Sequence, residues 1–185
     1  MRKNFGAKPW IFPMPVLVIG TYHEDDTPNA MTAAWGMICD YDKVMLCLAQ
    51  DHKTVKNIMA RKAFTVSIAD EKNLVQADYV GVVSGNNAPD KLSKTGWSAT
   101  KSELVDAPLF AELPLTLECN FLSMDEESEC IIGEIVNVSA DESVLTDGKI
   151  DISKLRAITY DPVHNDYYVI TDKVGKAFGD GLQLK

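Results

Sequence analysis

Val16-Leu17-Val18-Ile19-Gly20-Thr21-Tyr22 is short, apolar and β-branched, the composition of a buried strand. The polar stretch His23-Glu24-Asp25-Asp26-Thr27-Pro28-Asn29 follows as a turn. Ala30 to Cys39 then resumes as a strand of small and apolar residues. Asp40-Tyr41-Asp42 turns the chain again, into a third strand over Val44 to Ala49. Three strands so close in sequence favour an antiparallel meander.

Outward from the meander, Val55, Ile58 and Met59 fall at helical spacing. They predict a helix over Lys53 to Arg61, with Asp51 as a cap and Arg61 and Lys62 near its C-terminus. Phe64 to Ala69 alternates with period two, as a strand does. Asn73 to Val80 is a second short helix, and Ser84 to Thr100 a long polar loop of a length that often carries function. Leu115 to Leu122, Ile131 to Val138 and Tyr167 to Ile170 are strands, and Asp147-Gly148 makes a hairpin turn. Before Val16 the chain is an arm rich in Pro and aromatics, and no repeat or linker divides the rest. The expected fold is mainly β with a few helices, a barrel or sandwich in one domain with an N-terminal arm and a C-terminal tail.

The chain has 185 residues, 46% apolar and 24% charged, which suits a folded core. Its net charge of -9 argues against a nucleic-acid partner, which needs a basic face, but leaves room for a phosphorylated small ligand. No stretch reaches the ~20 apolar residues of a membrane helix. The run Trp10 to Gly20 is broken by Pro13 and Pro15 and has no cleavage site, so a cytoplasmic location is expected. Cys39, Cys47, Cys119 and Cys130 form no Cys-x-x-Cys pair and are expected to be buried free thiols.

Two stretches could carry chemistry. In Leu48-Ala49-Gln50-Asp51-His52-Lys53-Thr54-Val55-Lys56-Asn57 the unpaired N–H groups of a helix start suit a phosphate, with Lys53 and the Thr54 hydroxyl as further donors. The bland alternative is a capped helix with solvated charges. In Pro28-Asn29-Ala30-Met31-Thr32-Ala33-Ala34-Trp35 small residues let a flat ligand approach the backbone, with Met31 and Trp35 as walls. Here the alternative is ordinary core packing. Trp97 either covers a ligand or anchors its loop, and Asp125-Glu126-Glu127 is a solvated turn. His23, His52 and His164 show no metal-ligand spacing, and no residue stands out as a catalytic acid, base or nucleophile.

Taken in order, Pro13-Met14-Pro15-Val16-Leu17-Val18-Ile19-Gly20-Thr21, then Pro28 to Trp35, Lys53-Thr54-Val55-Lys56-Asn57-Ile58, Phe64-Thr65-Val66-Ser67-Ile68, Ala107-Pro108-Leu109 and Leu117-Glu118-Cys119 resemble the flavin reductase-like, FMN-binding split-barrel proteins, especially the flavoredoxin-type branch. The resemblance runs from about Trp10 to Phe178. It implies a six-stranded antiparallel split β-barrel with Greek-key connections, homodimeric, with FMN near the subunit interface. It implies that Thr32, Ala33, Ala34 and Trp35, beside Met31, meet the isoalloxazine and ribityl chain. It also implies that Gln50, His52, Lys53, Thr54 and Asn57, beside Ala49, lie around the phosphate. Many relatives carry Arg where this chain has Lys53, which replaces a planar fork by a point charge. The implied activity is transfer of electrons from NADH or NADPH through FMN to an acceptor. The alternative is a non-enzymatic FMN carrier serving a redox protein partner, and a pyridoxamine-phosphate-oxidase-like chemistry fits the motifs less well.

Overall fold

The structure, a computed structural model, describes residues 1–185. Seven strands make one antiparallel sheet: β1 (Leu17–Tyr22), β2 (Pro28–Ala33), β3 (Gly36–Asp40), β4 (Lys43–Cys47), β5 (Ala63–Ile68), β6 (Leu115–Asp125) and β7 (Cys130–Ala140). Their order is β2-β1-β5-β6-β7-β4-β3. The two edges, β2 and β3, are consecutive pieces of one stretch of chain, so the order begins and ends on the same segment. The sheet therefore curls into a split barrel, six-stranded when that segment is counted once.

The sequence pattern predicts one strand over Ala30 to Cys39, and the structure breaks it at Ala34-Trp35. The reason is pairing: β2 lies along β1, with Ala33 opposite Leu17, while β3 lies along β4, with Gly36 opposite Leu46. A straight strand cannot serve both neighbours. Gly36 permits the bend, because a Cβ there would lie 2.7 Å from both Leu17 Cδ1 and Leu46 Cδ2.

The apolar run of β1 is explained by burial on both faces. Leu17 and Ile19 enter the barrel interior with Val44, Leu46, Phe64, Val66 and Ile131, closed at one end by Val55 and Ile58 of helix α1 (Lys53–Arg61). Val16 and Val18, with the opposite parity, face a second core built with Ala30, helix α2 (Leu74–Val82) and Phe110. Helix α1 follows its apolar spacing, but Asp51 does not cap it. His52 holds the cap position in extended geometry and makes no side-chain cap bond.

Helix α2 starts at Leu74, one residue later than the pattern predicts, because Asp70 caps a short turn over Glu71–Asn73 first. The stretch 84–100 is not a free polar loop. Leu92 and Trp97 are buried in the second core, Trp97 Nε1 donates to Asn73 Oδ1 at 3.0 Å, and Ala99–Lys101 pairs with Pro108–Phe110. Trp97 is thus an anchor. The Asp147-Gly148 turn closes a hairpin with both residues at positive φ, as a type I′ turn requires. Tyr167 to Val169 falls in a separate small sheet with Ile158–Asp161 and Met14–Pro15. Of the cysteines only Cys119 is buried; Cys39 is exposed, and Cys47 and Cys130 are half-buried. The thiols of an edge or end rung reach solvent, which composition alone does not reveal. No helix is long and apolar enough to cross a membrane.

Candidate functional site

The break in the 28–40 segment and the start of α1 face one cavity. Met31, Thr32, Ala33, Ala34 and Trp35 line a space of about 310 Å3, with Ala49 and His52 from the junction before α1. Cys47, Leu48, Ser128 and Glu129 complete its wall. A volume near 300 Å3 is at the lower end of small-molecule sites. Three of the lining residues are alanines, so backbone is within reach of a flat ligand. The Thr32 side chain does not join in: its hydroxyl donates to the Ala77 carbonyl of α2. Thr32 offers only backbone to the cavity.

The rim at α1 is rich in unused donors. No side chain caps the helix and no acidic residue occupies its first turn, so first-turn N–H groups are free to meet an anion. Gln50 is held beside the cavity by the turn between β6 and β7, its N–H donating to Glu129 Oε1 at 3.1 Å and its Nε2 to the Glu126 carbonyl at 2.7 Å.

Behind the helix start lies a buried polar cluster. Asn29 Nδ2 donates to Thr54 Oγ1 at 3.0 Å and to Thr21 Oγ1 at 3.2 Å, and Asn57 Nδ2 donates to Thr21 Oγ1 at 3.0 Å. Asn57 also meets His23 Nδ1 at 3.3 Å. All five residues are buried. Thr54 and Asn57 therefore face inward, away from the 310 Å3 cavity. Lys53 lines a second, more open cavity of about 570 Å3 together with His23, Asp25 and Asp90. His23 Nε2 is buried without a hydrogen-bond partner, and burial, then the charge of Lys53, lowers the His23 pKa.

The structure thus gathers Met31 to Trp35, Ala49 and His52 around one space. Gln50 sits at its edge, Lys53 lines the larger cavity instead, and Thr54 and Asn57 belong to the buried cluster behind the helix start. Sequence reasoning missed His23, Asn29, Ser128 and Glu129. Asn29 stands inside the stretch already singled out, but His23 reads as part of a solvated turn. Glu129 is 79 residues from the Gln50 it touches, a pairing that only the β6–β7 register reveals.

Residues 10–156 match the family described as the flavin reductase like domain. The chain belongs to this family. The flavin reductase-like split barrel is also the fold of the flavoredoxin of Desulfovibrio vulgaris (Miyazaki F), 37% identical, with a TM-score of 0.94 over 98% of this chain and 100% of that one. The flavoredoxin of Methanosarcina acetivorans is 26% identical, with a TM-score of 0.88 over 100% of both chains. Among curated relatives, an uncharacterized protein of Aeropyrum pernix is 25% identical over 128 residues, 67% of this chain, and the match spans 48% of that longer protein.

Proposed function

We propose that this flavin reductase-like chain holds FMN non-covalently and transfers electrons through it from NADH or NADPH to an acceptor. One observation carries the reading: an alanine-lined cavity opens beside a helix start whose N–H groups have no side-chain cap. The flat ring suits the backbone of Ala33, Ala34 and Ala49, with Met31 and Trp35 beside it. The phosphate suits the first-turn N–H groups of α1, with His52 as a further donor; the Lys53 ammonium would join them by leaving the larger cavity beside the same turn. Buried Thr54 and Asn57 position that turn rather than reach the ligand. FMN supplies acceptance of a hydride and onward release of electrons. The protein supplies position, donors and exclusion of water, and no side chain is assigned as acid or base.

The flavoredoxin likeness, at 37% identity across nearly the whole chain, favours a second reading in which FMN stays bound and serves a protein partner. A net charge of -9 suits a basic partner in a weak, salt-sensitive encounter. A homodimer belongs to both readings. Trp35, Met37 and Ile38 are 57%, 60% and 56% exposed and line an apolar groove of about 880 Å3 that shares Ala34 and Trp35 with the flavin cavity.

The cofactor is tested by titrating the protein with FMN and with riboflavin. Lys53→Met should weaken FMN about tenfold and riboflavin little, since one charge-assisted hydrogen bond contributes roughly 1.5–3 kcal/mol. Equal losses for both ligands would place the phosphate elsewhere. Rapid mixing with NADH and NADPH separates the two readings: bleaching of the flavin band supports the reductase, and none with either nucleotide leaves the carrier. Sedimentation at micromolar concentration checks the dimer.

A further inference from the structure

Cys130 opens β7 directly opposite Cys47, the last residue of β4. On the next rung the Leu48 N–H donates to the Glu129 carbonyl at 3.0 Å. Hydrogen-bonded and non-bonded rungs alternate in an antiparallel ladder, so the Cys47–Cys130 rung is of the non-bonded kind. Such rungs bring Cα atoms to about 4.5 Å and side chains closest, which lies inside the range a disulfide bridges. The two Sγ atoms are in contact at 2.9 Å, and both thiols are free and half-buried. The pair is 83 residues apart in the chain, so no Cys-x-x-Cys spacing announces it.

The rung also has a place. Cys47 lines the 310 Å3 cavity, and Cys130 follows Ser128 and Glu129, which line it too. We propose that Cys47 and Cys130 are a reversible dithiol–disulfide pair, oxidised by small-molecule disulfides, in the wall of this cavity. The pair stands on strand register and does not depend on the flavin.

The exchange follows from the surroundings of each sulfur. Burial, then the hydrogen bond with Cys130, raises the Cys47 pKa to about 11, while Cys130 adjoins the exposed turn over residues 125–128, so attack begins at Cys130. Cys130 loses its proton to water and its thiolate attacks one sulfur of the small disulfide. That S–S bond breaks, a mixed disulfide forms, and the released thiolate takes up a proton. Cys47 then gives up its proton and attacks Cys130 Sγ, expelling the second small thiol. Two protein thiols and one small disulfide become one protein disulfide and two small thiols. Two electrons pass to the small molecule. The other cysteines cannot follow this course. Cys119 is fully buried with its pKa pushed up to about 12, and Cys39 is exposed with no cysteine beside it.

The test uses the full chain carrying Cys39→Ser, an exposed change, treated with glutathione disulfide without added flavin. Intact mass should fall by two hydrogens. Digestion with trypsin and glutamyl endopeptidase should give peptide 44–53 linked to peptide 130–134, and a dithiol reductant should reverse both. Adding Cys47→Ser should instead leave one glutathione adduct on Cys130. Two glutathione adducts on the Cys39→Ser chain, or three thiols still open to alkylation after the treatment, would overturn the proposal. Because FMN is absent throughout, failure here leaves the flavin reading untouched, and failure to bind FMN leaves this one untouched.

Discussion

The two cavities beside the start of α1 share a helix and almost nothing else. The smaller is lined by Met31 to Trp35, Ala49 and His52, mostly small or apolar residues. The larger is lined by His23, Glu24, Asp25, Thr27, Lys53, Pro89 and Asp90, with three carboxylates against one lysine. Behind the same helix start lies the buried cluster of Thr21, Asn29, Thr54 and Asn57, which lines neither space. An anion with a flat apolar body would be repelled from the larger space and fit the smaller. The contrast teaches that the helix start alone does not choose a ligand side. The neighbouring strand and turn residues set the charge and polarity of each space.

The sharpest way to break the contrast is to fill the smaller space. Ala49→Phe should cut FMN affinity at least a hundredfold, about 2.7 kcal/mol. Ala49 is outside every helix and strand and only half-buried, so urea unfolding should change by less than about 0.5 kcal/mol. Undiminished binding by a folded variant would move the ligand out of this cavity. The second largest effect is expected at the buried cluster. Asn29→Ala removes the donor that joins Thr21 to Thr54 and should cost about 2 kcal/mol of folding stability, measured in urea. A loss below about 0.5 kcal/mol would mean the cluster is not what fixes the helix start.

Much of this was legible in the chain, for definite physical reasons. The double-sided burial of β1 writes a continuous apolar run, and α1 writes Val55 and Ile58 three apart. Ala33 and Ala34 of the 28–35 stretch form the small-residue wall of the smaller cavity. What was not legible depends on long-range register. The break at Ala34-Trp35 exists because two different strands claim the two halves of one segment. The inward turn of Thr54 exists because Asn29 lies beside it, 25 residues away. Ser128 and Glu129 reach the cavity only because β6 and β7 are long enough to carry their turn there. Lys53 faces the acidic space rather than the alanine-lined one, which sequence spacing does not determine.

The smallest expected effect is on pH dependence, and it reads the burial of His23 at the inner end of the acidic cavity. Burial, then Lys53, lowers the His23 pKa, while Asp25, the Asn57 contact and the Pro89 carbonyl act in the opposite direction. The unfolded chain binds a proton near pH 6.5, where the folded chain does not. Unfolding therefore takes up a proton in the window below 6.5. Stability is at its full value above that pH and declines as pH falls toward the lowered folded value. His23→Gln should flatten this acid slope in urea midpoints measured between pH 7.5 and 5. Lys53→Met should raise the His23 pKa by removing a neighbouring charge, as read by proton NMR of the imidazole. His164 provides the internal contrast, since its hydrogen bond to Asp161 raises its pKa above 6.5. A His23 resonance titrating at or above 6.5 would mean that the ring is solvated rather than buried against Asn57.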